Sequence, residues 1–261
     1  MTSTLRTMRR PLRRAFLRAA AASASAAALA GCDRLSRTEW FPRVLGAAEP
    51  VNEAIAKLVA RNGLAQEFAE ADRSPTFRSN GTSEPDSPRY AAWVANGFAD
   101  YTLEVGGMVA APRAFTLAEL RALPARTQIT RHDCVEGWSA IAKWKGAKLS
   151  ALLDVVRPHP GARYLVFYCA DPMGTDGTDL YYESIDLGDA HHPQTILAYD
   201  MNDAALPVPN GAPLRLRVER QLGYKHAKYV TGIELVASFA HIAGGKGGYW
   251  EDRGYQWFAG I

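Results

Sequence analysis

The chain has 261 residues, 48% hydrophobic and 22% charged, with 3 cysteines and a formal net charge of +3. That composition excludes a disordered chain, and three cysteines cannot staple so long a sequence as a disulfide scaffold. The length suits one large domain or two small ones, and a basic balance implies an acidic partner only if the charges lie on the working part of the chain.

They do not lie there. Residues 1–31 hold six arginines, Arg6, Arg9, Arg10, Arg13, Arg14 and Arg18, and no acid. Residues 19–30 are Ala, Ser and one Leu, too short a run for a bilayer span of about 20 residues. A basic stretch, an apolar stretch and small residues in that order describe an export signal. Arg13-Arg14-Ala15-Phe16-Leu17-Arg18 resembles a twin-arginine signal, with Leu12 where Ser or Thr is usual. Leu29-Ala30-Gly31-Cys32 resembles a lipoprotein cleavage box, which implies a lipidated Cys32 and tethering to the inner membrane on the periplasmic side. Removing the six arginines from 30 basic residues leaves 24 against 27 acidic ones, so residues 32–261 are net acidic. Nucleic acid is therefore not an expected partner.

Residues 32–73 read as a tether followed by an N-terminal helix. Pro42, Gly46 and Pro50 mark the tether, and Ile55, Leu58, Val59, Leu64 and Phe68 recur at helical spacing over 51–71, with a break at Gly63. Residues 74–88 (SPTFRSNGTSEPDSP) are loop, and a loop of that length is usually functional or disordered. Residues 74–261 form the expected catalytic domain. Alternation predicts a strand at 101–105. Thr116 and Glu119 form a capping-box pattern that opens a short helix to 123. A strand over 127–134 runs into a turn at Gly137. A helix over 149–156 stops before Pro158. Strands follow at 163–168, 196–199, 214–218 and 229–236, with a polar turn at 171–179. Many short strands with few short helices and no regular βαβ alternation predict an α+β fold of mixed sheets. There is no internal repeat, GxGxxG or P-loop.

Cys134 stands at the end of a predicted strand in Arg131-His132-Asp133-Cys134-Val135-Glu136-Gly137-Trp138-Ser139. Arg131 and His132 offer the positive charge that a thiolate needs. The alternatives are a half-buried cysteine or a disulfide to Cys169, although Cys169 follows an apolar strand and burial suits it better. The sequence has no CxxC, no CxxCH and no GxSxG elbow, which disfavours zinc, dithiol and c-type haem sites and a serine triad. His191 and His192 are adjacent, so on a regular element they face apart and do not form a metal pair.

Four segments, in order, resemble the sulfite oxidase superfamily of molybdopterin-dependent oxidoreductases. Cys134-Val-Glu-Gly-Trp-Ser resembles its molybdenum-ligand segment, and Phe77-Arg-Ser-Asn80-Gly81-Thr82 its N-terminal pterin loop. The third runs from Ile196-Leu-Ala-Tyr-Asp-Met-Asn to Asn210-Gly211-Ala212-Pro213-Leu214-Arg215, and the fourth is Gly223-Tyr224-Lys225-His226-Ala227-Lys228. Within the superfamily they are most similar to the periplasmic methionine-sulfoxide reductase catalytic-subunit type. The resemblance spans about residues 77–236 and implies a sulfite-oxidase-type fold and a Mo-molybdopterin cofactor.

It also implies roles. Cys134 is the one protein ligand to molybdenum, because the pterin brings the other sulfurs and soft ligands suit such a centre. Asn80, Gly81, Thr82, Asn210, Arg215, His226, Ala227 and Lys228 bind the cofactor, with Arg215, His226 and Lys228 near its phosphate. Taken singly, Arg215 and Lys228 read equally as strand-face charge, and Gly211 and Gly223 as turn glycines. Relatives place a substrate-side tyrosine near Glu183, so Tyr181 or Tyr182 is a candidate catalytic residue, although such a pair is also good core. The Trp250–Tyr255 stretch either closes over the site or packs on the core.

Sulfite oxidases surround their anionic substrate with arginine, whereas Glu136 here stands two residues after Cys134. Their C-terminal dimerisation domain has no counterpart, so a monomer is expected, as is a separate electron-transfer partner. The expected activity is reduction of an S- or N-oxide small molecule. A sulfite dehydrogenase is the alternative within the superfamily, and a non-enzymatic lipoprotein binding module the alternative of another class.

Overall fold

Alternating side chains build most of the regular structure. The computed structural model describes residues 15, 18, 35–60, 63–173 and 179–261. The export arginines Arg13 and Arg14, the lipoprotein box and Cys32 lie outside the described residues, as does most of the expected polar turn, residues 174–178. The chain divides into two units, one through Arg61 and one from Asn62.

The first unit contains α1 (Trp40–Gly46) and α2 (Ala48–Ala60). Helix α1 falls inside the expected tether, and α2 starts three residues ahead of position 51. Pro50 is compatible with this start, because a first-turn N–H has no partner inside a helix. Val51, Ile55 and Leu58 are exposed. Among the described residues no helix is long and apolar enough to cross a membrane.

The second unit begins ahead of the expected boundary at 74. Its first residues are tied to a sheet edge: Phe68 N donates to Ile129 O at 2.9 Å and Ser74 N to Ile141 O at 2.9 Å. The elements that follow are α3 (Pro88–Ala95), β1 (Thr102–Gly107), β2 (Arg113–Thr116), α4 (Leu117–Ala122), β3 (Ala125–Asp133), β4 (Ser139–Lys148) and α5 (Leu149–Val156). Then come β5 (Tyr164–Met173), β6 (Asp179–Asp186), α6 (Leu187–His191), β7 (Ile196–Met201), β8 (Ala204–Ala205), β9 (Arg215–Arg217) and β10 (Val230–Val236). The Thr116 box forms as expected, with Glu119 N donating to Thr116 Oγ1 at 3.2 Å and Thr116 N to Glu119 Oε2 at 2.8 Å.

One mixed sheet and one antiparallel sheet result. One runs β2-β1-β10-β5-β6, with β1 and β10 parallel, and the other β3-β4-β7-β8, with β9 on β7. The fold is α+β, as expected. Strands β2, β4, β6 and β8 were not expected as strands. In β4 (SAIAKWKGAK) the inward positions are mostly small, so its alternation carries little apolar contrast. The main core joins Leu103, Phe115, Leu165, Phe167, Ile233 and Leu235 to the buried face of α5. A smaller cluster gathers around Trp144, with Phe77 of the N-terminal loop against it. Expected core residue Cys169 is fully buried, and both described cysteines are free.

Candidate functional site

The β3–β4 hairpin puts Cys134 at its tip. Gly137 N donates to Cys134 O at 3.0 Å and Cys134 N to Trp138 O at 2.9 Å, closing a tight turn in which Gly137 takes φ +83°. Cys134 faces a cleft, 8% exposed. Burial pushes its thiol pKa up. The Glu136 backbone N–H opposes that shift, the Glu136 carboxylate adds to it, and Arg78 and the Asn80 amide oppose it. Asn80 Nδ2 lies 3.6 Å from the sulfur. The expected charge sources are not used. Arg131 turns outward to Asp133 at 2.9 Å, because successive strand residues alternate faces. His132 is buried, and desolvation together with Arg217 holds it far below the usual imidazole pKa, so it is neutral. Its Nδ1 accepts from Arg217 Nη1 at 3.0 Å.

Most of the expected binding residues converge on this cleft. Asn80, Gly81, Thr82, Arg215, His226 and Lys228 all line it, although they come from three segments far apart in sequence. Two glycines permit the convergence. A Cβ on Gly211, at φ +110°, would sit 2.9 Å from Lys228 Cβ and 3.2 Å from Arg215 Cβ. A Cβ on Gly223 would sit 2.5 Å from His132 Nε2. Neither is merely a turn residue.

Arg215 lies 5.1 Å above the Trp144 ring and donates to Asn210 O at 3.0 Å and His226 O at 3.4 Å, leaving its buried Nε unpartnered. Burial and Arg217 lower its pKa to about 9, so it remains cationic at neutral pH. The neighbouring Arg217 is neutralised by a forked pair with Glu219, at 2.9 and 2.6 Å. Lys228 is lowered to about 8 by burial and by Arg215. Its ammonium donates to Asn80 O at 2.8 Å, to Thr82 O and to Pro209 O at 3.3 Å. Lys228 therefore clamps the N-terminal loop, where the sequence reading gave it only a phosphate.

His226 also differs from expectation. Its Nε2 donates to Gln221 O at 3.0 Å, so the buried, unpartnered Nδ1 of this neutral ring is an acceptor and not a phosphate donor. Asn210 is buried with Nδ2 unpartnered but does not line the cleft, and neither does Ala227. Two buried cations bonded to carbonyls, with orphaned Arg215 Nε and Asn210 Nδ2 donors and an orphaned His226 acceptor beside them, suit a phosphate-bearing group with hydrogen-bonding edges. With the Cys134 thiol lining the same cleft, that donor set fits a pterin-bound metal.

Tyr181 lines the cleft, and Tyr182 does not. Strand alternation sends Tyr182 to the opposite face, where its hydroxyl donates to Asp252 Oδ2 at 2.5 Å. Tyr181 Oη donates to Tyr224 O at 2.5 Å. The C-terminal alternatives resolve toward the site: Trp250 and Tyr255 stack at 5.4 Å and both line the cleft. His192 is buried, with Nε2 3.2 Å from Gly63 O, and His191 is exposed. Asp171 was read as turn. It is a buried, cleft-lining acid whose pKa burial raises to about 7. An acid directly after an apolar strand was the available signal.

A family profile described as "Oxidoreductase molybdopterin binding domain" matches residues 91–241. The chain is 38% identical over 251 residues to the "Putative protein-methionine-sulfoxide reductase subunit YedZ1" of Azospira oryzae, covering 96% of this chain and 88% of that protein. It is 33% identical over 239 residues to the "Protein-methionine-sulfoxide reductase catalytic subunit MsrP" of Ralstonia nicotianae, covering 86% and 68%. Among solved structures it is similar to the sulfane dehydrogenase SoxCD of Paracoccus pantotrophus, with TM-score 0.48 and 23% identity over 54% of this chain and 39% of that one. With 38% identity over nearly its whole length and a matching domain profile, the chain belongs to the molybdopterin-binding oxidoreductase family and is an enzyme dependent on Mo-molybdopterin.

Proposed function

We propose that this enzyme reduces S-oxides, taking electrons from a separate redox protein. The observation that carries this reading is the charge around Cys134. Glu136 lines the cleft, held there by Trp138 Nε1 donating to its Oε2 at 3.0 Å, and Asp171 lines it too. With Arg215 and Lys228 bonded to carbonyls, the Glu136 carboxylate two residues from Cys134 repels an anionic sulfite and leaves a neutral oxide unopposed. The names of the Azospira and Ralstonia relatives support the same direction and make the sulfoxide of methionine the first substrate to try.

When bound, the molybdenum centre supplies two-electron oxygen-atom exchange. Cys134 supplies the protein thiolate, oriented by the Glu136 amide and Asn80 Nδ2. Arg215 and His226 would hold the pterin's polar edge and phosphate, and Lys228 with Tyr229, whose hydroxyl donates to Thr82 O at 3.0 Å, holds the N-terminal loop at the cleft. Tyr181 faces the substrate side. The net reaction consumes two electrons and two protons per oxide and yields sulfide and water. Export through the residue 1–31 signal, tethering at lipidated Cys32 and a monomeric state complete the proposal.

Steady-state assays test it. Methionine sulfoxide with a reduced viologen dye should turn over, and sulfite with an electron acceptor should not. The reverse outcome establishes the sulfite dehydrogenase alternative. Cys134→Ser should lose molybdenum, and retention of stoichiometric metal with unchanged spectra removes the ligand assignment. Cys32→Ala should release the protein from the membrane fraction.

A further inference from the structure

We propose that Glu183, Glu251 and Lys225 form a buried store for one proton, connected to the cleft through Tyr181. The use of that proton rests on the reductase reading; the store itself does not.

Three separate segments build the cluster: Glu183 from β6, Lys225 from the short 3-10 turn Gly223–Lys225 and Glu251 from the C-terminal stretch. Lys225 Nζ donates to Glu183 Oε1 at 2.5 Å and to Glu251 Oε1 at 2.6 Å, and all three side chains are 0% exposed. One ammonium neutralises one carboxylate. A second bare carboxylate would leave a net negative charge in a dry interior, which the group avoids by keeping a proton. The cluster therefore holds one proton beyond the three of the ammonium.

The surroundings agree. Burial holds Glu183 well above the usual carboxylate range; Lys225 opposes the shift and the Glu251 charge adds to it. Among the described residues, the other titratable groups shown to face the cluster are not cations. Tyr181, Tyr182 and Tyr224 each feel its carboxylates, as does Cys169, and the Tyr182 hydroxyl is committed to Asp252. Lys225 also lies 5.2 Å from the Trp257 ring.

The route out is Tyr181. Glu183 Oε2 lies 3.5 Å from Tyr181 Oη. Tyr181 gives its own proton to the Tyr224 carbonyl, so its oxygen lone pairs remain open to an acid proton from Glu183. The same tyrosine lines the cleft with Cys134. In one turnover the acid O–H would break, its proton would pass to the Tyr181 oxygen, and the Tyr181 proton, turned from the Tyr224 carbonyl into the cleft, would go to the oxide-derived oxygen that is released as water. The carboxylate left behind is reprotonated from solvent. Solvent supplies the second proton, and the reduced electron-transfer protein supplies both electrons.

Infrared spectroscopy of the holoenzyme tests the store and the route without turnover. Wild type at neutral pH should show the carbonyl band of a buried carboxylic acid that shifts in D2O. Glu183→Gln and Glu251→Gln should each lose that band, because each leaves one carboxylate matched to Lys225. Glu251→Gln serves if Glu183→Gln does not fold. Asp171→Asn should retain the band, which separates it from the other buried acid. Tyr181→Phe should retain the band and slow its deuterium exchange. A wild type without the band, a band surviving both glutamine variants, or an unchanged exchange rate in Tyr181→Phe overturns the proposal. In turnover, Glu251→Gln should lower kcat for methionine sulfoxide about 100-fold with KM unchanged. If wild type does not reduce sulfoxides, the reductase reading fails, and the infrared results still decide the store.

Discussion

Gly223 is where one added methyl group should disturb both fold and site. In Gly223→Ala the new Cβ would lie 2.5 Å from His132 Nε2, 2.6 Å from His132 Cε1 and 3.2 Å from Asp133 O. The imidazole cannot swing away. Arg217 holds its Nδ1, and the rings of Phe77, Trp138 and His226 lie around it at 5.5, 5.6 and 5.1 Å. Overpacking of this kind costs about 1–3 kcal/mol. For a chain of this size each kcal/mol lowers Tm by about 2–4 °C, so a fall of roughly 2–12 °C is expected. His132 and Asp133 lead directly into Cys134, so the strain also moves the thiol and molybdenum content should fall. Thermal unfolding by circular dichroism, with metal analysis of the same sample, reads both effects. Gly106→Ala is the control: its Cβ would meet nothing within 4 Å. A Gly223→Ala protein that melts within about 1 °C of wild type and carries full molybdenum would refute the reasoning.

Glu219→Ala leaves Arg217 charged and buried at 0% exposure without its forked partner, and urea unfolding should show a loss of about 3–5 kcal/mol. Lys228→Met removes the ammonium that gathers three carbonyls from residues 80, 82 and 209; limited proteolysis should cut residues 74–88 faster, and pterin content should drop. Asp171→Asn tests linkage. The folded-state pKa of about 7 stands above the ordinary 3.8, so the wild-type stability tied to this acid is fully present below pH 4 and is lost as pH rises through 7. The asparagine variant should match wild type near pH 4 and exceed it at pH 8, by at most roughly 4 kcal/mol. A difference in urea midpoint that does not change with pH refutes that assignment.

Local chemistry was legible without coordinates. Alternation placed β1, strand-forming runs placed β3, β5, β7, β9 and β10, the Thr116–Glu119 box placed α4, and Leu149–Val156 was read to the residue. Cys134 and its turn could be read because a lone cysteine at a strand end, followed by glycine, is a local pattern. Strand β4 was not legible, since its pairing with β3 and β7 supplies what its Ala, Lys and Gly residues do not state.

The site divides in the same way. The sequence by itself determined which residue types are available: one thiol after β3, an Asn-Gly-Thr loop, and Arg215 and Lys228 in segments with a family likeness. Only the tertiary structure decided what each atom does. It turned Arg131 away by strand alternation and kept His132 neutral by burying it beside Arg217. It made His226 an acceptor by giving its other nitrogen to Gln221, and it split Tyr181 from Tyr182 across a strand. It also joined Glu183, Lys225 and Glu251, from three segments, into one cluster. A residue's identity fixes its possible charge and donors, but burial, register and neighbours set the free energy of each state, and these arise from contacts distant in sequence.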